Sequence, residues 1–428
     1  MFQWTEKSDA ALQAGGVIGP DERLPWPQTA MLGVQHLIAM FGATVLAPIL
    51  MGFDPNVAIL MSGIGTLLFF VATGGNVPSY LGSSFAFIGV VIAATGYAGQ
   101  GPNANMGVAL GGIIACGALY FVIGAVVQAV GTGWIERLMP PVVTGAVVAV
   151  IGLNLAHIPV KNMAPTPFDA WMQAVTFVCV GLVAVFTRGM VQRLLILMGL
   201  IVASVVYAVL ANGLGLGKPL DLSGVANAAW LGMPNFSAPV FSGHAMLLIA
   251  PVAVILVAEN LGHIKAVTAM TGKNLDVYMG RAFMGDGVAT MVAGSAGGTG
   301  VTTYAENIGV MAATKIYSTA IFVVAGLMAI LLGFSPKFGA LIQAIPLAVM
   351  GGVSIVVFGL IAVAGAKIWV DSRVDFSDNK NLLVAAITLV LGTGDFTLKF
   401  GDFALGGIGT ATFGAIGLYA LLNRRSAG

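Results

Sequence analysis

Charged side chains are scarce in this sequence. Only 8% of the 428 residues are Asp, Glu, Lys or Arg, against about 25% in an ordinary soluble domain. Hydrophobic residues make up 58% of the chain, and the mean hydropathy is +0.97. The net charge of +1 leaves no basic surface of the kind that binds nucleic acid. The composition therefore predicts a polytopic membrane protein, with no nucleic-acid partner.

Cysteine is also rare. Cys116 and Cys179 both lie inside apolar runs, where thiols more often act as small hydrophobic groups than as disulfide or metal partners. The first 28 residues have no apolar core, so we expect no cleaved secretory signal. The sequence has no metal-ligand spacing, phosphate-binding loop or nucleophile elbow. We therefore expect no metal, no cofactor and no enzymatic activity.

Long apolar runs account for most of the chain. A helix that crosses a bilayer needs about 20 residues, and the sequence offers fourteen candidate segments. They are predicted at 28–50, 56–73, 82–97, 106–130, 141–158, 170–187, 193–211, 245–265, 282–296, 303–314, 317–334, 346–366, 381–395 and 404–422. The third and tenth are short, and each follows a polar or glycine-rich stretch. Such broken segments at matching positions in two halves indicate a binding site near the bilayer midplane.

The basic residues are unevenly divided between the two ends of these segments. With fourteen crossings, both termini lie on one side, and that side receives fourteen of the 18 Lys and Arg residues. The other side receives Lys161, Lys218, Lys337 and Lys399. Because cytoplasmic loops carry an excess of Lys and Arg, we expect both termini in the cytoplasm.

The two halves of the chain share short matches. Ser83-Ser84-Phe85-Ala86 before the third segment matches Thr302-Thr303-Tyr304-Ala305 before the tenth. Pro140 with Gly145 likewise matches Pro346 with Gly351, and both offsets are close to half the chain length. Seven segments per half is an odd number, so the halves would have opposite orientations. The sequence thus predicts an all-α membrane protein built as a seven-plus-seven inverted repeat.

The stretch from Gly297 to Lys315 brings polar groups into the apolar chain. Glu306 and Asn307 follow glycines and threonines at an expected helix start, where the free N–H groups and the helix dipole favour an anion. An ionisable group at membrane depth is a functional-site hypothesis by default. A polar helix cap is the alternative, but a cap does not require both a glutamate and an asparagine at this depth.

A second polar pair lies in the eighth segment. Glu259 and His263 are four residues apart and therefore share one helix face. A carboxylate beside an imidazole could exchange a proton, as proton coupling requires. The alternative is a structural hydrogen bond to a neighbouring helix. Together Glu259 and Glu306 could accept N–H groups from a flat polar ligand.

The aromatic and remaining polar residues in these segments are less specific indicators of function. Phe85 and Tyr304 could enclose a planar ring, although ordinary packing is an equal alternative. His36 in the first segment is expected to be a satisfied interior histidine, or else to touch the coupling network. Asp286 in the ninth segment is assigned no direct role.

Residues Glu306 to Lys315 read ENIGVMAATK. They fit the pattern Gln, Glu or Pro, then Asn-x-Gly-x-x-x-x-Thr, then Lys, Arg or Gly. This pattern resembles the signature of the nucleobase/ascorbate transporter family, which contains the uracil and xanthine permeases. The stretches Gln35 to Leu46 and Tyr80 to Phe87 are similar to the uracil-permease branch in particular. The resemblance covers about residues 28 to 422.

The resemblance implies a proton-coupled symporter that imports uracil and related pyrimidines across the cytoplasmic membrane by alternating access. Short extended pieces in segments 3 and 10 would cross near the substrate. The family fold divides into a core and a gate domain, and a homodimer would form through the gates, surrounded by lipid. The implied divisions are a cytoplasmic tail (1–27), core (28–130), gate (131–244), core (245–316 and 317–335), gate (336–422) and a second tail (423–428).

The resemblance also implies roles for individual residues. Glu259 and Glu306 would accept hydrogen bonds from the N–H groups of uracil, and His263 would join Glu259 in proton coupling. Phe85 and Ala305 would offer backbone groups to the ring. The remaining site residues would be Tyr304, lining the site, Ser354, on the gate side, and Asn307 and His36 in support.

Two positions depart from the uracil permeases. Ala305 stands where such a permease has glycine, and Phe358 stands where it has tyrosine, which removes a gate hydroxyl. Glutamate at the first signature position, Glu306, favours uracil over xanthine. A xanthine or purine permease and a proton-independent facilitator or channel remain the alternatives.

Overall fold

The computed structural model describes residues 3–8, 16–97, 99, 101–401 and 403–424. Within these ranges fourteen helices have ten residues or more, and each overlaps one predicted segment. They are α1 (Trp26–Met51), α2 (Pro55–Ala72), α3 (Ala86–Thr95), α4 (Met106–Val130), α5 (Pro141–Leu155), α6 (Pro167–Phe186), α7 (Leu195–Ala208), α8 (Val252–Thr271), α9 (Met279–Ala296), α10 (Ala305–Thr314), α11 (Thr319–Gly333), α12 (Leu347–Asp371), α13 (Asn379–Thr393) and α14 (Gly407–Arg424).

Shorter elements join these helices. The shorter helical turns are Gly133–Leu138, His157–Asn162, Met190–Arg193, Val209–Gly213, Ser223–Asn227, Gly243–Ile249, Asp276–Tyr278 and Pro336–Gln343. Six strands form three pairs: β1 (Thr5–Glu6) with β2 (Glu22–Arg23), β3 (Leu81–Ser83) with β4 (Val301–Thr303), and β5 (Leu398–Phe400) with β6 (Phe403–Leu405). The first pair is parallel and the other two are antiparallel.

Many of the helices are long and apolar enough to cross a membrane. In the described ranges eight helical stretches meet that condition, or nine if α11 is joined to Pro336–Gln343, which it meets at 83°. The eight comprise α1, α2, α4, α5 with its continuation to Asn162, α6, α7 with its continuation to Gly213, α8 with its preceding turn, and α12. The chain is therefore a multi-pass membrane protein. The count of fourteen crossings and the inverted arrangement of the halves stay predictions.

Proline fixes several helix boundaries. Pro55, Pro141 and Pro167 each occupy the first helical position, where the missing N–H costs nothing and the fixed φ suits the helix. Pro251 divides the eighth predicted segment into Gly243–Ile249 and α8, because its ring cannot continue the hydrogen-bond ladder of the preceding turn.

The third and tenth segments are half-length helices preceded by strands. With ten residues each, α3 and α10 extend about 15 Å, half of a hydrocarbon core of about 30 Å. Leu81 of β3 pairs with Thr303 of β4, and Ser83 pairs with Val301. The expectation of short extended pieces in these two segments is confirmed. Because the strands are antiparallel and buried, they bring the first turns of α3 and α10 into one region of the molecule.

The long helices pack as two groups. The first group contains α1, α2, α4, α9 and α11, and the second contains α5, α6, α7, α12, α13 and α14. Within the first group α4 and α9 approach closely at Gly117, where a Cβ atom would lie 2.7 Å from the Gly287 carbonyl oxygen. The neighbouring Cys116 is a buried free thiol, and Cys179 is also free. The assignment of these groups to a core and a gate domain stays a prediction.

The predicted N-terminal tail packs against the helices. The Ile18 N–H donates to the Lys315 carbonyl at 3.1 Å, and the Tyr317 N–H donates to the Ile18 carbonyl at 2.8 Å. Nearer the N-terminus, Trp4 Nε1 donates to Thr319 Oγ1 at 2.8 Å. The described part of residues 3–25, which we call the N-terminal segment, thus covers the link between α10 and α11. Most of the second predicted tail, 425–428, lies outside the described residues.

Candidate functional site

Two carboxylates from different helices meet beside the strand pair. Glu259 lies within α8, and Glu306 lies in the first turn of α10. Both side chains are partly exposed, whereas the next residues, Asn260 and Asn307, are buried. The two carboxylates are near enough to interact electrostatically. In the described part of the chain no cation pairs with either of them.

Glu306 is not the N-cap residue of α10, although it lies in the first turn of that helix. The N-cap residue of α10 is Tyr304, whose side chain makes no capping hydrogen bond. The N–H groups of Ala305 and Glu306 lie in the first turn, where helix geometry provides no intrahelical acceptor. Ala305 is exposed, and Phe85 is the N-cap residue of α3, as Tyr304 is of α10. The site therefore combines two carboxylate acceptors with helix starts that present N–H donors.

Phe85 connects the site to the second helix group. Its ring meets the ring of Phe358 in α12 edge to face, with 5.7 Å between the centroids and an angle of 88°. Both rings are buried, with 8% and 1% of their surface exposed. Ser354 lies one turn before Phe358, and its hydroxyl donates to the Met350 carbonyl at 2.7 Å. The face of α12 that carries Ser354 and Phe358 therefore lies opposite Phe85.

Tyr304 holds the strand pair together. Its hydroxyl donates to the Ser83 carbonyl at 2.9 Å and accepts from Thr44 Oγ1 at 3.1 Å. Its N–H donates to the Tyr80 carbonyl at 3.1 Å, and only 4% of its surface is exposed. The side chain thus joins α1, β3 and β4. The Tyr304 hydroxyl is therefore already hydrogen-bonded to its neighbours. The hypothesis that Phe85 and Tyr304 enclose a planar ring stays a prediction.

A chain of hydrogen bonds runs inward from His263. Its Nδ1 lies 2.8 Å from Thr303 Oγ1, and Thr303 Oγ1 donates to Asn260 Oδ1. The Asn260 amide donates in turn to Asp286 Oδ2 and to the Tyr120 hydroxyl. This chain links α8, β4, α9 and α4. The hydrogen bond of His263 is thus to Thr303, and no ion pair joins His263 to Glu259 in the described residues.

The donors and acceptors in this chain fix the direction of each bond. Asn260 presents its NH₂ group to Asp286 and Tyr120 and its oxygen to Thr303. Thr303 has a single hydroxyl hydrogen, which it donates to that oxygen. His263 Nδ1 must therefore be the donor to Thr303. The neutral imidazole carries its hydrogen on Nδ1 and leaves Nε2 free to receive a proton.

His36 supports Asn307 from behind. Asn307 Nδ2 lies 3.0 Å from His36 Nδ1 and 3.0 Å from the His36 carbonyl oxygen. The imidazole packs edge-on against Phe322 at 4.8 Å between ring centroids. Both His36 and Asn307 are buried, with 1% and 0% exposed. His36 thus anchors the first turn of α10 to α1 and has no contact with Glu306 in the described structure.

Sequence reasoning missed several of these polar residues. Asn260, Thr303 and Tyr120 received no role, and Asp286 received no direct one. One signal was present: Ala258 to Gly262 reads Ala-Glu-Asn-Leu-Gly, and Ala305 to Gly309 reads Ala-Glu-Asn-Ile-Gly. In both copies the glutamate is partly exposed and the asparagine is buried and hydrogen-bonded. In each copy of the motif, therefore, the glutamate faces the candidate site and the asparagine makes hydrogen bonds in the interior.

Comparisons with known proteins match most of the chain. A family model named Xan_ur_permease, described as "Permease family", matches residues 27–400. The chain is 70% identical over 422 residues to the "Putative pyrimidine permease RutG" of Escherichia coli strain K12, covering 99% of this chain and 95% of that protein. It is 41% identical to the "Uracil permease" of Paenibacillus larvae, covering 95% and 97%, and 39% identical to that of Escherichia coli strain K12, covering 94% and 92%.

Solved structures with little sequence identity share the fold. The transmembrane domain of the cyanobacterial bicarbonate transporter BicA aligns with a TM-score of 0.63 at 17% identity, covering 86% of this chain and 95% of that chain. The murine anion transporter Slc26a9 in its inward-facing state aligns with a TM-score of 0.66 at 12% identity, covering 93% and 68%. At these identities the likeness concerns the fold alone.

Proposed function

The chain belongs to the nucleobase/ascorbate transporter family of permeases, and from this membership we propose that it imports uracil, and related pyrimidines, together with protons. Membership makes it a membrane transporter and not an enzyme. The names of its relatives support a nucleobase of the uracil type as the substrate. Coupling to protons and alternating access go beyond the names of the relatives and form part of the proposal.

The observation that carries the proposal is the pair Glu259 and Glu306 on two helices beside the strand pair. Uracil has two N–H donors and two carbonyl acceptors at the edge of a flat ring. Two carboxylates suit the donors, and the N–H groups of Ala305 and Phe85, which have no acceptor in the described structure, suit the carbonyl oxygens. A site of this kind rejects analogues that lack the donors, because its carboxylates would stay unpaired when such an analogue covers them.

Phe85 and Phe358 would form the apolar side of the site. The contact at 5.7 Å joins the start of α3 to α12, so a ligand at the carboxylates would be bordered by both helix groups. Alternating access would then need this contact to change as the first group moves against the second. Phe358 presents a hydrocarbon edge where the resemblance to a uracil permease implies a tyrosine hydroxyl.

Proton coupling would use the free nitrogen of His263. With Nδ1–H held by Thr303, Nε2 can take up a proton on the same helix face as Glu259. Two nearby carboxylates repel each other when both are ionised, so a proton shared among Glu259, Glu306 and His263 lowers the cost of assembling the site. Substrate and proton binding would thereby favour each other, as a symporter requires.

The remaining expectations form part of the same proposal. The protein would lie in the cytoplasmic membrane with both termini inside. A core of segments 1–4 and 8–11 would move against a gate of segments 5–7 and 12–14, and a homodimer would form through the gates. The coupling ion would be H⁺, and no other cofactor would take part.

Uptake into proteoliposomes tests the function. Labelled uracil should accumulate when an inward proton gradient is imposed and should stop accumulating when an ionophore collapses the gradient. Uptake that stays the same after the gradient is collapsed would instead indicate a facilitator or channel. Excess unlabelled thymine should compete, whereas xanthine and hypoxanthine should not. Strong competition by the two purines would move the assignment to a purine permease.

A further inference from the structure

An apolar cavity of about 420 Å³ lies apart from the carboxylates, between the two helix groups. We call it the seam cavity. Its walls come from α1 and α11 of the first group, from α7 of the second, from Leu220 and Leu222 beyond α7, and from the link between α11 and α12. Leu37 and Phe41 line it from α1, Leu200 and Ser204 line it from α7, and Ile342 lines it from the link.

The lining of the seam cavity suits hydrocarbon. Ser204 is the one lining residue with a polar side chain, and its Oγ is buried without a hydrogen-bond partner in the described structure. A nucleobase needs several donors and acceptors placed around its ring, which this lining does not provide. The volume falls within the range of about 300–1,000 Å³ that is usual for ligand cavities. The seam cavity therefore fits an apolar ligand rather than the transported substrate.

The mouth of the seam cavity continues into the outer surface of α7. Ile201 and Val205 of α7 are 45% and 58% exposed and also line the cavity, as does Leu341, which is 51% exposed. Val202 and Val209 extend the same helix surface and are 45% and 59% exposed. In a multi-pass membrane protein such apolar faces lie against lipid chains. The ligand most abundant at the mouth is thus an acyl chain of the bilayer.

We propose that the seam cavity binds one acyl chain of a bilayer phospholipid, inserted from the mouth at α7 between the two helix groups. Leu37 and Phe41 would contact the chain on one side and Leu200 and Ile201 on the other. An empty apolar cavity forfeits packing contacts along its walls, and a hydrocarbon chain restores them. A chain in this position touches both groups, so it adds to the packing between them.

Photo-crosslinking in proteoliposomes tests the site. The probe is phosphatidylethanolamine that carries a diazirine near the end of one acyl chain, and peptide mass spectrometry locates the labelled residues. We expect labelling at Leu200 and Ile342, which are 7% and 1% exposed, in addition to the general labelling of exposed faces. Ser204→Phe, which fills the cavity, should reduce labelling at Ile342 about tenfold by excluding about two methylene groups of the chain.

A matched control uses the same helix and the same new side chain. Val202→Phe lies on α7 but does not line the cavity, so labelling at Ile342 should stay unchanged. Ser204→Ile provides a second, smaller filling variant in case Ser204→Phe does not fold, and it should reduce the labelling in the same direction. Excess uracil should leave the labelling at Leu200 unchanged.

Three results would overturn the inference. Labelling confined to exposed residues such as Val202 would show that no chain enters the cavity. Unchanged labelling of Ile342 in both Ser204 variants would show that the probe reaches it by another route. Displacement of the label by uracil would show that the cavity serves the substrate. None of these results depends on whether uptake is coupled to protons.

Discussion

His263 Nδ1 and Thr303 Oγ1 lie 2.8 Å apart, on a helix and a strand that are 40 residues apart in sequence. Through this contact the imidazole is connected to Asn260 and, beyond it, to the buried carboxyl group of Asp286. The single hydroxyl hydrogen of Thr303 is donated to Asn260, so His263 Nδ1 donates to Thr303. The orientation of the buried Asn260 amide thus determines which imidazole nitrogen is free.

Thr303→Val tests this connection. Valine keeps the shape and the strand preference of threonine but removes the hydroxyl, so His263 Nδ1 and Asn260 Oδ1 both lose a partner. A buried polar group left without a partner costs about 1–3 kcal/mol. We expect proton-driven uracil uptake to fall at least about tenfold, while uracil binding at equilibrium changes less. The measurement is uptake with and without a proton gradient beside binding by calorimetry.

Thr268→Val serves as the control for that variant. Thr268 lies in α8 just beyond His263, and its buried Oγ1 has no hydrogen-bond partner in the described structure. The same change there removes no bond, so uptake should match that of the unaltered protein. If Thr303→Val also transported normally, the chain from Asp286 would have no part in coupling.

Glu306→Gln tests the substrate site itself. The amide replaces one acceptor oxygen with an NH₂ group, so a uracil N–H would face a donor. Loss of a hydrogen bond to a charged group costs about 1.5–3 kcal/mol, which predicts an affinity about 10- to 150-fold weaker. Binding of labelled uracil to purified protein in detergent measures it. Glu136→Gln, in the turn Gly133–Leu138, should bind uracil as before, and equal affinity in both variants would locate the site elsewhere.

The candidate site was predictable in part. The broken third and tenth segments and the two carboxylates at membrane depth followed from local pattern, because glycine, hydroxyl and glutamate residues are unusual inside apolar runs. The partner of His263 was not predictable, since Thr303 contacts it only when β4 packs against α8, and Asp286 joins the chain through Asn260 only when α9 packs there too. The role of Tyr304 was missed for the same reason: its bonds to Thr44 and Ser83 join distant parts of the chain.

The packing of the N-terminal segment could not be predicted from the sequence pattern either. Its polar composition predicted a tail, yet backbone pairing of Ile18 with Lys315 and Tyr317 ties it to the end of α10. Backbone hydrogen bonds to a distant loop leave no periodic signal in the sequence.

The ion pair between Asp21 and Lys273 makes the N-terminal segment sensitive to acid. Lys273 holds the pKa of Asp21 below its ordinary value of 3.8, with a smaller contribution from Lys7. A lowered folded-state pKa adds stability above the ordinary value, and that stability is lost as pH falls through the folded value. We expect hydrogen exchange of residues 16–24, corrected for its intrinsic rate, to increase about twofold between about pH 6 and pH 3, because an exposed pair contributes roughly 0.2–1 kcal/mol.

Lys273→Met isolates this ion pair. Without the ammonium group, exchange of residues 16–24 should already be faster at the higher pH and should change less on acidification. Equal pH dependence in both proteins would assign the effect to other carboxylates of the segment, such as Glu6 with Arg23 or Glu22 with Lys7.

Tyr304→Phe separates a positioning role from direct contact with substrate. The variant keeps the ring and removes the hydroxyl that joins Thr44 to the Ser83 carbonyl. If Tyr304 holds the strand pair, the melting temperature should fall, since unpaired buried groups cost about 1–3 kcal/mol, and uracil affinity should weaken only through the loosened strands. Tyr419→Phe is the control, because no described residue bonds to that hydroxyl and its ring contact with Lys380 remains. Weaker uracil binding with an unchanged melting temperature would instead mean that the Tyr304 hydroxyl contacts the substrate.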